Sequence, residues 1–187
     1  MVLNMPERFV YLQFQIDTNR INAHQKLLSM NRLEQWAKNE VIEILIPESV
    51  KKEISHERHP QRTKKIVGKI ISATLPNTSE EQKKLQLISQ ILFPNEIPTQ
   101  NQQNDIETVF NTEKYGAILI TNDGNSKRQP GGILGKRREL LNKIGLEVLT
   151  DEEAVVRVQE EIRRRDDFAR CVTQKTGQPL PLWVGLD

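Results

Sequence analysis

A chain of 187 residues fits one domain of ordinary size, with enough length to bury a core without disulfide or metal staples. Hydrophobic residues make up 36% and charged residues 28%, and no run approaches the roughly 20 apolar residues of a bilayer-spanning helix, so a soluble protein is expected. The formal net charge of +2 creates no strong whole-molecule field, and any nucleic-acid signal must come from local clustering.

Residues 1–10 include Glu7 and Arg8 and lack a long apolar stretch or a small-residue cleavage site, which argues against a secretory signal. Cys171 is the single cysteine; it excludes an internal disulfide, fits a reducing, cytoplasmic interior and reads as a packing residue. Residues 9–16 end in strict alternation through Leu12, Phe14 and Ile16, the period of a strand, and Asp17-Thr18-Asn19 terminates it. The next segment, 22–38, carries Leu27, Leu28, Leu33 and Trp36 without proline or glycine, so helix is expected, with Asn22 as amino cap and Trp36 in the core.

Residues 42–46 form the second strand candidate, and Pro47 then stands where a proline can open a helix. Val50 and Ile54 fall on one face of that helix with Glu53 on its flank, while Glu48 in the first turn complements the dipole. From 58 to about 93 helical spacing continues in two pieces separated by Leu75-Pro76-Asn77-Thr78-Ser79. Ser79 with Gln82 makes a capping-box pattern ahead of the stripe Leu85, Ile88, Leu92. Residues 94–104, rich in Asn, Gln and Pro, read as a loop.

Helical spacing resumes over 105–115 with Ile106, Val109 and Phe110, and Asp105 and Glu107 lie on opposite flanks of that stripe. Periodicity does not choose between those two acids. The apolar run Ala117-Ile118-Leu119-Ile120-Thr121 is of strand length and breaks into Asn122-Asp123-Gly124-Asn125. These four residues alone signal a turn, but they also place a carboxylate where a buried strand surfaces, as Asp17 does after the first strand. A basic loop over 124–135 follows, then a helix over 136–143 ended by Gly145, a short strand over 146–149, and a long charged helix from Asp151 to about Cys171. Residues 173–187 read as an extended arm that Trp183 anchors to the domain or a partner. There is no internal repeat.

Alternating strands and helices imply an α/β fold, a three-layer sandwich with a central, mostly parallel twisted sheet flanked by helices. Right-handed connections bring the carboxyl ends of the strands to one edge, which Asp17 and Asp123 would share. The expected organisation is one domain over 1–170, with 58–104 as a helical insertion and loop, and an arm over 171–187.

Three other signals carry competing readings. Pro130-Gly131-Gly132-Ile133-Leu134-Gly135-Lys136 fails as a phosphate loop, because its first glycine would be Pro130 and Arg137 replaces the required Ser or Thr. Lys127, Arg128, Lys136, Arg137 and Arg138 remain candidates for holding nucleic-acid phosphates, against a solvated surface loop. Arg163-Arg164-Arg165 lies among Glu160, Glu161, Asp166 and Asp167 and reads as a salt-bridged helix face. His56 and His59 have a zinc-compatible spacing but no third ligand nearby, and read as exposed.

Carboxylates gathered at one sheet edge oppose one another's ionisation unless a cation neutralises them. All-oxygen ligation suits Mg²⁺ or Mn²⁺, and the reaction so implied is attack of a metal-activated water on a phosphodiester. The motifs Ile16-Asp17-Thr18-Asn19, Val50-Lys51-Lys52-Glu53-Ile54, the helix opened by Asp105, and Leu119-Ile120-Thr121-Asn122-Asp123 resemble the PIN domain, a metal-dependent ribonuclease fold, over about 9–151. That resemblance implies Asp17, Glu53, Asp105 and Asp123 as catalytic, metal-binding acids, with Glu107 a rival to Asp105. Thr18, Asn19 and Asn125 would be supporting polar groups.

The resemblance further implies single-stranded RNA as substrate, in a toxin held by an antitoxin or in an RNA-processing enzyme, and a homodimer as one assembly. The interval from Glu53 to Asp105 is longer than in compact members, and the aromatic residue often found after the last acid is missing. A PIN-like scaffold that binds RNA or a protein without cutting is the alternative from another class. A phosphotransfer enzyme with Asp17 as nucleophile is disfavoured, because Asn19 stands where a second acid belongs.

Overall fold

The computed structural model describes residues 4–21, 26–47, 68–72, 74–124 and 131–187. Five strands, β1 (Gln13–Ile16), β2 (Glu43–Pro47), β3 (Lys69–Ile71), β4 (Ile118–Ile120) and β5 (Val148–Leu149), form a sheet in the order β3-β2-β1-β4-β5. Every pairing among the described residues is parallel, in line with the mostly parallel sheet expected from the sequence. Parallel strands need crossovers, and six helices among the described residues supply or flank them: α1 (Leu28–Lys38), α2 (Ser79–Leu92), α3 (Gln100–Lys114), α4 (Gly132–Gly135), α5 (Arg137–Ile144) and α6 (Asp151–Thr176).

The two-residue period of the strands sorts their side chains into two cores. Phe14, Ile16, Ile44, Ile46 and Ile120 face α1 and α6, where Met30, Leu33, Trp36, Ala154, Val158 and Ile162 cover them. Leu119 and Val148 face the other way, against Ile88 and Ile91 of α2, Ile106, Val109 and Phe110 of α3, Ile133 and Leu140. Both faces of the sheet are therefore covered, the condition under which parallel sheets occur. Trp36 is 3% exposed, in the core as its spacing predicts.

Several boundaries differ from the sequence expectation. β1 begins only at Gln13, because Tyr11 has φ 57°, outside the extended region. α1 starts at Leu28 without a side-chain cap, and the expected cap Asn22 lies outside the described residues. Pro47 is the last residue of β2, paired with Ile71, and the helix expected after it lies outside the described residues, as do Val50, Glu53, His56 and His59. The helical reading of 58–93 misses β3, whose Lys69-Ile70-Ile71 pairs on the outer edge of β2.

Thr78, not Ser79, caps α2: its hydroxyl accepts from the Glu81 amide, while Asn77 donates its own amide to the Glu81 carboxylate. The expected loop at 94–104 gives way to helix at Gln100, opened by a reciprocal Thr99–Gln102 capping box. A second box, Thr150 with Glu153, opens α6, which runs to Thr176 rather than Cys171 and ends at Gly177 with φ 73°.

The last residues fold back instead of extending. Asp187 accepts from Arg8 and Arg165, Gly185 donates its amide to Asp166, and the Arg165 guanidinium lies 4.3 Å from the Trp183 ring centroid. Arg165 is thus a buried partner of the tail, whereas Arg164 pairs with Glu161 on the exposed helix face.

Glu34 of α1 is 7% exposed beside Leu33 and Met30, and burial raises its carboxyl above the ordinary range, with Lys38 only partly offsetting the effect. A raised acid penalises folding once the unfolded state ionises, so the penalty grows as pH rises through the ordinary glutamate range and is absent below it. Glu34→Gln is therefore expected to raise the thermal midpoint at neutral pH and to match the wild type in acid below that range. Melting curves at both pH values check this.

Candidate functional site

β1 and β4 are neighbours in register, Ile16 beside Ile120, so the residues that follow them emerge together at the carboxyl edge of the sheet. The Asp17 amide still bonds the Ile120 carbonyl, at 3.0 Å, which carries the pairing one residue beyond β1. By strand alternation Asp17 shares a face with Gln15 and Thr121 shares a face with Leu119, the side covered by α2 and α3.

Thr121 joins the two strand ends. Its hydroxyl donates to Asp17 Oδ2 at 2.7 Å and accepts from the Asp123 amide at 3.0 Å and from Asn19 Nδ2 at 3.2 Å, using one donor and two acceptor sites. Asn19, in the 3-10 turn Thr18–Arg20, completes the corner. Its Nδ2 donates to Asp17 Oδ2 at 2.6 Å and its Oδ1 accepts from the Asn122 amide at 3.1 Å. Asp17, Asn19, Thr121 and Asp123 are thereby one hydrogen-bonded unit. The Asp123 carboxylate also accepts from the Ile133 amide at 2.8 Å, and its carbonyl accepts from the Leu134 amide, which ties the strand end to α4.

α3 reaches the same edge from the covered face. Gln15 is fully buried and donates to the Thr108 carbonyl at 3.1 Å, and the turn after α3 leads directly into the start of β4. α3 therefore runs opposite to the strands, and its first half stands at the edge where Asp17 emerges. Asp105 falls on the helical stripe of Thr108 and Thr112, whose backbone carbonyls accept from Gln15 of β1 and from the Ala117 amide at the foot of β4. Glu107 falls on the stripe of Asn111, whose side chain instead accepts from Thr74.

Of the residues singled out in the sequence, Asp17, Thr18, Asn19 and Asp123 lie at this corner and Asp105 on the adjoining helix. Glu53, Asn125, Lys127 and Arg128 lie outside the described residues. Among the described residues, no three His, Cys, Asp or Glu side chains form a group able to hold a metal ion. The donors present at the corner are nonetheless all oxygens, the chemistry that hard divalent cations take.

Arg137 bonds both carboxylate oxygens of Glu153, at 2.8 and 3.0 Å. Burial works to raise the Glu153 carboxyl, but the Thr150 amide and Arg137 outweigh it and hold it below the ordinary range. Arg137 is thus engaged within the protein. Arg138 is exposed and Lys136 half-buried, at the start of α5.

The sequence reading missed Thr121, Gln15 and the Arg20–Asp151 pair. Arg20 Nη1 meets Asp151 Oδ1 at 3.1 Å, with Asp151 3% exposed at the first position of α6. Only Thr121 left a signal in the sequence, as the polar residue that ends an apolar run two positions before Asp123.

No helix among the described residues is long and apolar enough to cross a membrane. No known family's sequence profile matches the chain, and no curated protein matches it. Among solved structures, a chain in the crystal structure of VapBC2 from Rickettsia felis bound to a DNA fragment from their promoter is similar, with 18% identity and a TM-score of 0.46 over 74% of this chain and 98% of that one. The five-stranded parallel sheet with helices on both faces is the α/β arrangement that the alternating elements of the sequence lead one to expect.

Proposed function

We propose that this protein is a metal-dependent endoribonuclease of the PIN type, acting on single-stranded RNA. The observation that carries the proposal is the coupling of Asp17 and Asp123 through the Thr121 hydroxyl at the carboxyl edge of a parallel sheet. Asp105 contributes from the stripe of α3 that faces β1, and Glu53 completes the acidic set by its motif. Mg²⁺ or Mn²⁺ bound there would supply an activated water and stabilise charge on the leaving oxygen. The chain's own part is to hold its carboxylates at fixed positions: Thr121 and Asn19 grip one oxygen of Asp17, and the Ile133 amide grips one oxygen of Asp123. Thr18 and Asn125 are supporting polar groups, and Lys127, Arg128, Lys136 and Arg138 track the RNA backbone, with Arg137 joining them only by leaving Glu153.

Incubation with a mixed-sequence single-stranded RNA and Mn²⁺ is expected to give internal cleavage that EDTA abolishes and added Mn²⁺ restores. Full activity in EDTA would contradict the proposal. Whether the activity serves a toxin restrained by an antitoxin or RNA processing is answered by which transcripts are cut and by whether a protein inhibitor co-purifies.

A second reading has support in one observation. The Asp123 carboxylate bonds the Ile133 amide in the manner of a helix cap, so this acid has a structural use independent of metal. A non-catalytic scaffold binding RNA or a protein partner would keep that bond and bind RNA equally well with and without Mn²⁺.

A further inference from the structure

The edge carries a further acid, Asp151, at the end of β5, and it is buried against Arg20 rather than left facing Asp17 and Asp123. Arg20 in turn bonds its neighbour: Nε donates to the Asn19 carbonyl at 3.0 Å and to Asn19 Oδ1 at 3.2 Å. This fixes which way the Asn19 amide points. Oδ1 accepts from Arg20 and from the Asn122 amide, so Nδ2 is left to donate to Asp17 and Thr121. The opposite flip would set a carbonyl oxygen against the Asp17 carboxylate and an NH₂ group against the Arg20 and Asn122 donors.

We propose that Arg20 and Asp151 are positioning residues that lock the Asn19 amide and, through it, the Asp17 carboxylate in a ligating orientation. This rests on the metal-dependent reading of the site. The relay crosses three strand ends: Asp151 after β5, Thr121 and Asn122 after β4, and Asp17 to Arg20 after β1. Its anchor is well protected, since the Arg20 and Asp151 side chains are 15% and 4% exposed. Solvent screening, which leaves surface ion pairs with little effect, is correspondingly weak there. Partners of this kind behind metal ligands typically govern affinity by about 10- to 100-fold.

The test uses the full chain with Arg20→Met and Asp151→Leu combined, which removes both charges and leaves neither buried alone. Asp17→Asn serves as a control, and Mn²⁺ affinity is read by calorimetry. A second readout, on the metal-free protein, is hydrogen exchange at the Asn122 amide, whose acceptor is Asn19 Oδ1. The relay predicts Mn²⁺ affinity reduced by at least about tenfold, with faster Asn122 exchange and a cooperative melting transition retained. Wild-type affinity together with an unchanged Asn122 amide would overturn the proposal and leave Arg20 a clip between the 3-10 turn and α6. Should the double variant not melt cooperatively, Arg20→Lys, which keeps a cation opposite Asp151 but lacks the Nε–H that bonds Asn19, is read in its place against the same two outcomes. Mn²⁺ binding that Asp17→Asn leaves untouched would refute the underlying metal site instead, so the two failures are distinguishable.

Discussion

Asp17→Asn is expected to lower RNA cleavage by well over a hundredfold, beyond the range typical for loss of a supporting partner, while the protein stays folded. The reason is local. The oxygen that accepts from Asn19 and Thr121 can be kept by an asparagine amide, so both bonds at 2.6 and 2.7 Å survive in a weaker, neutral form. The cost to stability is about 1 kcal/mol. What is lost is the negative charge, and an NH₂ group replaces the other oxygen. Asp123→Asn should behave alike, since its amide oxygen can still accept from Ile133. Asp105→Asn should weaken cleavage, whereas Glu107→Gln, on the stripe of Asn111, should not. Rates measured with Mn²⁺ in excess, beside melting curves, check all four variants.

Gly124→Ala and Gly132→Ala are expected to cause the largest losses of stability near the site. A Cβ on Gly124 would stand 2.1 Å from the Gly131 carbonyl oxygen, and one on Gly132 would stand 2.4 Å from Asp123 Oδ2. Both glycines have positive φ, 88° and 51°, so the left-handed penalty of about 1–2 kcal/mol adds to the collision. A total of roughly 2–4 kcal/mol is expected, a fall in the thermal midpoint of roughly 4–16 °C for a chain of this size. Gly145→Ala is the control: its φ is 73° but nothing lies within 4 Å of the added carbon, so only the conformational penalty applies. The two site glycines should also differ. Gly132→Ala pushes directly on the Asp123 carboxylate and should weaken Mn²⁺ binding at temperatures where the protein remains folded.

The sequence reads 124–135 as a basic loop, and the helix over Gly132–Gly135 and the close approach at Gly124 and Gly132 are what that reading leaves out. The two ends of the segment meet at Asp123, and α4 is held there by bonds from the Ile133 and Leu134 amides. In the sequence, Gly131 and Gly132 first suggest a phosphate loop, and only the positive φ and the missing Cβ reveal that the chain packs against a carboxylate. Glycine marks the need for a close approach without naming what approaches.

Elements with strong local patterns were legible. The alternation through Phe14 and Ile16 and the run from Ala117 to Thr121 became β1 and β4, the central pair of the sheet. β3 was not legible, because Lys69, Ile70 and Ile71 are exposed or half-buried edge residues whose strand character comes from pairing with β2, a non-local event. The start of α3 was hidden for another reason. Residues 94–104 are polar and lack periodicity, and the Thr99–Gln102 box that opens the helix stands far from its first buried residue, Ile106.

The same division holds in the site. Asp17 and Asp123 were visible as acids ending apolar runs, since strand length and a break are local properties. What binds them together was not: Thr121 reaches Asp17 across 104 positions and Arg20 reaches Asp151 across 131. Contacts of that span follow from sheet order, which alternation and capping signals do not encode.

Mn²⁺ titration of the metal-free protein by calorimetry tests the central claim most directly, with the Asp17→Asn, Asp123→Asn double variant titrated in parallel. The account predicts saturable binding by the wild type, accompanied by a higher thermal midpoint as ligand linkage requires, and neither effect in the double variant. Equal Mn²⁺ binding by both proteins would contradict it, because the ion would then be held somewhere other than the strand ends that Thr121 joins.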